Sequence, residues 1–227
     1  MHIPDGYLGP ATCGVFYAIM LPIWTIASKI VKKTLKVKQV PVLAIGAAFS
    51  FVIMMFNIPI PGGTTGHAVG GVLVAILLGP WAACIAITVA LVIQALLFGD
   101  GGITTLGANC FNMAFVLPFA GYYLYKAFSY KTSRDSKRRV MAAGIAGYLA
   151  LNIAAGLTGF VFGIQPLLHK TVSGQALYCP YKLGVALPVM LGEHLLVFGW
   201  VEAMVTALVI KYLIKHSPEL LAEGSKI

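Results

Sequence analysis

The first two residues, Met1-His2, offer three nitrogens along one short strand: the α-amine, the His2 backbone amide and the His2 imidazole. Held on one ion, they close small chelate rings. An amide nitrogen gives up its proton to a metal only when neighbouring donors anchor the ion, and near neutral pH the ions that achieve this are chiefly Cu(II) and Ni(II), which favour planar nitrogen fields. One place in that plane stays open. Retention of the initiator Met is expected, because the aminopeptidases that remove it require a small second residue. A histidine that merely follows the start codon is the plainer alternative.

A fourth donor is available in Pro61-Gly62-Gly63-Thr64-Thr65-Gly66-His67, where the glycines permit tight turns and His67 is expected just inside a third helix. A histidine at such a place can equally cap the helix or sit at an interface. The two readings support each other, since both histidines are expected at the same depth on the same side of the molecule.

Other chemistry-bearing residues point less sharply. Glu193, His194 and Glu202 lie within the last apolar tract, where ionisable groups are costly and face a bundle interior or a partner. By helical periodicity Glu193 and Glu202 point in opposite directions, so they are not expected to share a site. Asp100, in Gly99-Asp100-Gly101-Gly102, reads as a turn former or a cation-steering group. Asn109, Asn112 and Asn152 read as interhelical hydrogen-bonding residues, and His169 and His216 as solvated loop and tail residues. Cys13, Cys84, Cys110 and Cys179 show no CxxC spacing and are expected to be small buried apolar residues.

The elements that position these groups must be membrane helices. Of 227 residues, 59% are hydrophobic and 10% charged, and the mean hydropathy is +0.89, outside the range of soluble domains. A bilayer core of roughly 30 Å takes about 20 apolar residues per helix. Runs of that kind lie at about 8–28, 40–57, 107–128 and 139–164. The tract 64–98 is divided by Gly79-Pro80 into two shortish helices, and 182–214 reads as one long helix, with Pro188 as the candidate for a kink. The expectation is an all-α membrane protein of about seven transmembrane helices.

Net charge +9 suggests nucleic acid in a soluble chain, but here the basic residues fall in short clusters between apolar runs. Seven spans with the N-terminus outside place 14 of the 16 Lys and Arg on the inner face, in clusters at 29–38, 126–139 and 211–226. Met1–Gly6, Asn57–His67 and the Asp100 turn then emerge together on the outer face, and the C-terminus is cytoplasmic. The chain lacks the basic opening of a signal peptide, so the mature protein is expected to begin at or near Met1. It has no GxxxxGK[ST], so no P-loop ATP hydrolysis is expected from it. Small residues spaced by four, Ala44/Ala48 and Gly46/Ser50, let helices approach closely, either within the bundle or against a partner.

MHIPDGYL at the terminus, PGGTTGHAVGG at 61–71 and LFGDGGITTLGANCFNMAF at 97–115 resemble the nickel and cobalt substrate-binding membrane subunits of energy-coupling-factor transporters, the NikM/CbiM type. The resemblance spans essentially the whole chain. It implies a single transmembrane domain over 1–227: a metal-binding segment plus one additional N-terminal helix at 1–39, and a six-helix S-component-like core at 40–227. It implies nitrogen ligation of the ion by the Met1 amine, the His2 amide and imidazole, and His67. It further implies a transmembrane coupling protein docking on Ala44 and Ala48, two cytoplasmic ATPases, a small accessory membrane protein, and residence as a multi-pass protein of the bacterial plasma membrane. Neither an organic cofactor nor nucleic acid is expected.

Ni(II) as transported substrate is favoured by the planar four-nitrogen field, with Co(II) as the alternative. A membrane enzyme working at a metal held by His2, His67, Glu193 or His194 needs an open coordination position with an acid or base beside it, and no compact motif such as HExxH is present. A passive channel needs a continuous polar stripe, whereas the polar residues here are scattered.

Overall fold

The structure, a computed structural model, describes residues 1–60, 64–133 and 135–223. An irregular N-terminal segment, residues 1–9, buried at Met1, His2, Ile3, Leu8 and Gly9, leads into α1, Pro10–Thr34, whose proline occupies the first helical position, where no N–H partner is needed. Lys32 and Lys33 close its last turn, where cations favour the helix dipole. A 3₁₀ turn, Val37–Gln39, precedes α2, Val40–Met55. An antiparallel hairpin follows, β1 Ile58–Ile60 against β2 Thr64–Gly66, with Ile58 opposite Gly66. Then come α3, Gly71–Leu78, and α4, Pro80–Ile93, parted by Gly79.

Three helices are interrupted by π-helical turns. One, Gln94–Phe98, ends α4. A second, Cys110–Val116, lies between α5, Leu106–Asn109, and α6, Leu117–Phe128. After α7, Lys137–Leu168, the third, His194–Phe198, separates α8, Leu183–Glu193, from α9, Gly199–His216. A last short helix, α10, is Pro218–Glu223. Such turns widen the helix and redirect side chains, and they are frequent at functional sites.

The long α7 is the axis of the bundle and packs on α6, α8 and α9. Its buried faces are made of small residues, among them Ala143, Gly147, Ala150 and Gly159, which allow close helix approach in lipid. At Gly163 the contact is tightest: a Cβ there would lie 2.5 Å from Leu183 Cα. A second layer is built on α4, which packs against α1, α2 and α3, and Trp24 Nε1 donates to Thr88 Oγ1 at 3.0 Å to fix α1 on it. Leu21, Ile45, Leu96, Met141, Trp200 and Leu208 face outward, as side chains that meet lipid must.

Among the described residues five helices are long and apolar enough to cross a membrane: Pro10–Thr34, Val37–Met55, Pro80–Phe98, Lys137–Leu168 and Leu183–His216. The stretch from Leu106 to Phe128 is helical throughout. The first half of the 64–98 tract differs from expectation, because α3 has 8 residues, about 12 Å, too short for a 30 Å core. The mostly helical chain also carries one short hairpin, whose strands include the β-branched Ile58 and Thr65. His67 precedes α3 rather than lying inside it. Pro188 is accommodated within α8, and the irregularity of the last tract falls at His194–Phe198 instead. Pro61, Gly62 and Gly63 of the glycine-rich segment, and Arg134 and Lys226 of the basic clusters, lie outside the described residues.

The four cysteines are free and buried, as expected. Of the small-residue pairs, Gly46 and Ser50 serve internal packing, Gly46 lying against Val74 and Ser50 being buried, while Ala44 and Ala48 are exposed on the outside of α2.

Candidate metal site

The chain enters the bundle with its first residue deepest. Met1, His2 and Ile3 are 1%, 3% and 0% exposed, so every backbone group there must find a partner inside. Ile3 is held on both sides of its peptide: its N–H donates to Asn109 Oδ1 at 2.8 Å, and its carbonyl accepts from Gly102 N at 2.9 Å, Thr105 Oγ1 at 2.6 Å and Asn109 Nδ2 at 3.1 Å. Two residues on, the Asp5 carboxylate accepts from Ile103 N, Thr104 N and Thr104 Oγ1 at 3.1, 2.8 and 2.5 Å. The 99–105 turn approaches so closely that a Cβ on Gly102 would lie 2.2 Å from Asp5 Oδ1. Farther out, Cys179 N donates to Tyr7 O and Gly9 N to Gln165 Oε1, each at 3.0 Å. This clamp fixes the register of His2 and delivers the Met1 amine to the carbonyl of Thr65 in β2, to which it donates.

His67 arrives from the other side. Its segment is held by Glu202, whose fully buried carboxylate accepts from Val69 N at 2.8 Å and from Gly70 N at 2.9 and 3.1 Å. The His2 and His67 rings stack with centroids 4.5 Å apart and planes inclined by 30°. Each ring ties down one nitrogen and leaves the other without a partner: His2 Nε2 meets Gln94 Oε1 at 3.2 Å, while His67 Nδ1 donates to Ala68 O at 3.0 Å. His2 Nδ1 and His67 Nε2 are buried with no hydrogen bond, although Asp100 Oδ1 stands 3.4 Å from His2 Nδ1. Unpaired buried ring nitrogens are costly, and a histidine whose second nitrogen is fixed by an amide or carbonyl is the arrangement that metal ligands adopt.

Electrostatics keeps these nitrogens uncharged. Burial lowers the Met1 amine from 8.0 to about 5, against the opposing pull of Glu193 and Asp100. Burial and the neighbouring amine lower His2 to about 3, and push His67 well below its ordinary value. Asp100 is raised by burial, with the amine and its hydrogen bond from Asn57 Nδ2 acting the other way. At neutral pH the amine and both imidazoles are therefore in the form that donates a lone pair. Among the described residues no three His, Cys, Asp or Glu side chains come together to hold a metal. A metal here must draw on main-chain nitrogen as well.

The structure thus brings together Met1, His2 and His67, and sets Asp100 beside His2. Glu202 orients the His67 segment and Glu193 contacts His194 Nδ1 at 3.1 Å, the π-helical turn between them resetting the helical phase assumed from sequence. Asn109 holds the N-terminal strand rather than another helix, whereas Asn112 donates across to Thr158 at 3.0 Å and Asn152 to Tyr148 O within its own helix. His169 packs over Gly9 and Thr12 instead of standing in solvent. Gln94, Thr65, Thr105 and Asp5 were not marked by sequence; Gln94 alone carried a signal, as one amide inside an apolar run.

Residues 2–220 match the family described as the cobalt uptake substrate-specific transmembrane region, CbiM. A putative metal transport protein of Methanocaldococcus jannaschii is 51% identical, the alignment covering 97% of this chain and 94% of that one. The probable fused nickel transport protein LarMN of Lactiplantibacillus plantarum is 50% identical over 96% of this chain, and the fused nickel transport protein NikMN of Rhodobacter capsulatus 51% over 98%. The chain spans 66% and 64% of the length of these two fused relatives. A cobalt transport protein CbiM of Thermosipho melanesiensis is 32% identical over 99% of this chain and 91% of its own. A crystal structure of a truncated transition metal transporter superposes with a TM-score of 0.91 at 55% identity, covering 95% of this chain and 99% of that one.

Docking of the N-terminal strand should depend on pH with a defined sign. The released amine, with its ordinary value of 8.0, holds more protons than the docked amine at about 5, so docking strengthens as pH rises from 5 to 8 and gains nothing further above 8. Hydrogen exchange at the Ile3 amide, corrected for the intrinsic rate, should show protection climbing across that window. Asn109→Ala removes two hydrogen bonds from Ile3 and should cut that protection about tenfold or more, at roughly 0.5–1.5 kcal/mol per bond. Protection that is flat with pH and indifferent to Asn109 would contradict the clamp.

Proposed function

Because the chain belongs to the family of cobalt uptake substrate-specific transmembrane regions, we propose that it is the substrate-binding membrane subunit of an energy-coupling-factor importer, and that it captures Ni(II) through the Met1 amine, the His2 amide and imidazole, and His67. The observation that carries this reading is the convergence of an uncharged buried amine with two stacked imidazoles, each offering an unpartnered nitrogen. Loss of the His2 amide proton completes a four-nitrogen plane, and the clamp on Ile3 holds that amide still while it binds.

Nickel is preferred over cobalt because a planar field with a deprotonated amide suits low-spin Ni(II). The relatives named for nickel, at 50% and 51% identity, also stand nearer than the one named for cobalt, at 32%. In this reading residues 1–39 supply the metal-binding strand and an added helix to a core formed by 40–227. The transporter resides in the cell membrane with the metal site outside and the Lys126–Arg139 region in the cytoplasm. The exposed Ala44 and Ala48 dock on a transmembrane coupling protein, with two cytoplasmic ATPases and a small accessory membrane protein completing the importer. This chain is then a binding subunit rather than an enzyme.

Elemental analysis of the purified, metal-loaded chain should find one Ni(II) per chain, and His67→Ala should weaken binding by on the order of 100-fold or more, at least the penalty of losing a mere supporting group. Chain register gives the sharper test. Leu placed between Met1 and His2 keeps the initiator Met and moves His2 to third place, so metal binds without needing His67 and uptake fails. Ala placed there lets Met be removed, restores the amine one residue before the histidine, and keeps uptake once mass spectrometry confirms the trimming. Equal uptake by the two insertions would exclude the amino-terminal chelate.

Orientation is tested by impermeant thiol labelling of an otherwise cysteine-free chain: Ser173→Cys should react from outside and Ser133→Cys only after permeabilisation, and the reverse pattern would move the metal site to the cytoplasm.

For the coupling surface, Ala48→Leu should abolish uptake and copurification of partners while the isolated chain still binds Ni(II). A fully assembled and active Leu variant would reduce the small-residue face to a lipid-exposed surface.

A further inference from the structure

The buried pair Glu193–His194 has no part in the four-nitrogen plane, yet it repeats the pattern that marks the plane's own histidines. His194 is 0% exposed; its Nδ1 lies 2.8 Å from Met190 O and 3.1 Å from Glu193 Oε1. With the Nδ1 proton committed to the Met190 carbonyl, Nε2 carries the lone pair, and it is buried without a partner. Glu193, whose side chain is 9% exposed, has only that His194 contact at Oε1, and its Oε2 has no partner. A buried imidazole nitrogen and carboxylate oxygen left unpaired, His194 Nε2 and Glu193 Oε2, call for an explanation that interhelical polar contact does not provide, since such contact would satisfy them. The His194 ring lies beside that of Phe198, centroids 5.6 Å apart. The pair stands where α8 gives way to the π-helical turn His194–Phe198, and Phe198 of the same turn packs against Gly66, next to His67.

We propose that His194, through Nε2 and with Glu193 beside it as counter-charge, is a second ligand station that receives the ion as it leaves the Met1–His2–His67 plane. The chemistry fits the cargo. A planar four-nitrogen site with an ionised amide binds tightly and releases slowly; an adjoining neutral imidazole can take one coordination place as another opens, so the ion is never stripped bare in an apolar interior. Glu193 offsets the positive charge remaining on the ion. Ligand exchange moves no electrons, and the His2 amide regains one proton when the ion departs.

This inference rests on the proposed capture site, and a double-mutant cycle separates the two. Ni(II) affinity is measured on purified full-length wild type, His194→Ala, His67→Ala and the double variant, and uptake on the assembled transporters. With His67 present, His194→Ala should leave affinity within about twofold of wild type while lowering uptake at least tenfold. With His67 removed, the plane has a vacancy that His194 fills, so His194→Ala should then cost at least a further tenfold in affinity. Equal effects of His194→Ala on both backgrounds, or normal uptake by the single variant, would overturn the station and leave a structural histidine. Wild-type affinity in His67→Ala would instead overturn the capture site itself. Should His194→Ala fail to fold, His194→Gln keeps a donor for Met190 O but has no imidazole lone pair, and must give the same cycle; affinity and uptake unchanged from each parent background would equally sink the proposal.

Discussion

A chain terminus buried in an apolar bundle must discard its charge and satisfy its backbone, and both demands shape this molecule. The amine loses its proton to burial; the first peptide groups are paired by side chains brought from the turn after α4 and from α5. Asn109 acts on Ile3 as a neighbouring strand would, offering an acceptor to its N–H and a donor to its carbonyl. Asp5 then binds the following turn through two amides and a hydroxyl. Placed between these anchors and the Thr65 carbonyl, His2 has almost no freedom of register.

The Ile3 peptide is paired on both sides, whereas His2 Nδ1 and His67 Nε2, in the two stacked rings, have no hydrogen bond. The contrast is informative because a folded chain rarely leaves imidazole atoms unpaired at zero exposure. The acidic groups nearby, Asp100 and Glu193, oppose the loss of positive charge at the amine without restoring it.

Much of this was legible in the sequence where a single residue type forces the outcome. Gly79-Pro80 divides the 64–98 tract, and the apolar runs locate the long helices to within a few residues. His2 and His67 could be paired because both were expected at the same depth on the same side, with no other histidine in the outer half of the first five helices. The clamp was not legible, since Asn109, Thr105 and Asp5 act through backbone groups far along the chain, and no local spacing records such a partner. The π-helical turns escaped for a related reason: one extra residue in a helical turn leaves the apolar run unbroken, yet it rotates everything beyond it, which is why Glu193 and Glu202 could not be placed by periodicity. The hairpin was hidden by its brevity, three residues a strand.

Glu202 holds two successive amides with both of its oxygens, and it does so from the first turn of α9, a helix that continues to the basic end of the bundle. The segment bearing His67 is thereby harnessed to α9 as much as to its own short helix. An axial slip of α9 by one residue, about 1.5 Å, would carry both hydrogen bonds out of range or drag the histidine with it. The side chain is a mechanical linkage as well as an acceptor: displacement applied at the far end of α9 reaches the imidazole through a single rigid rod and one hydrogen-bonded hinge.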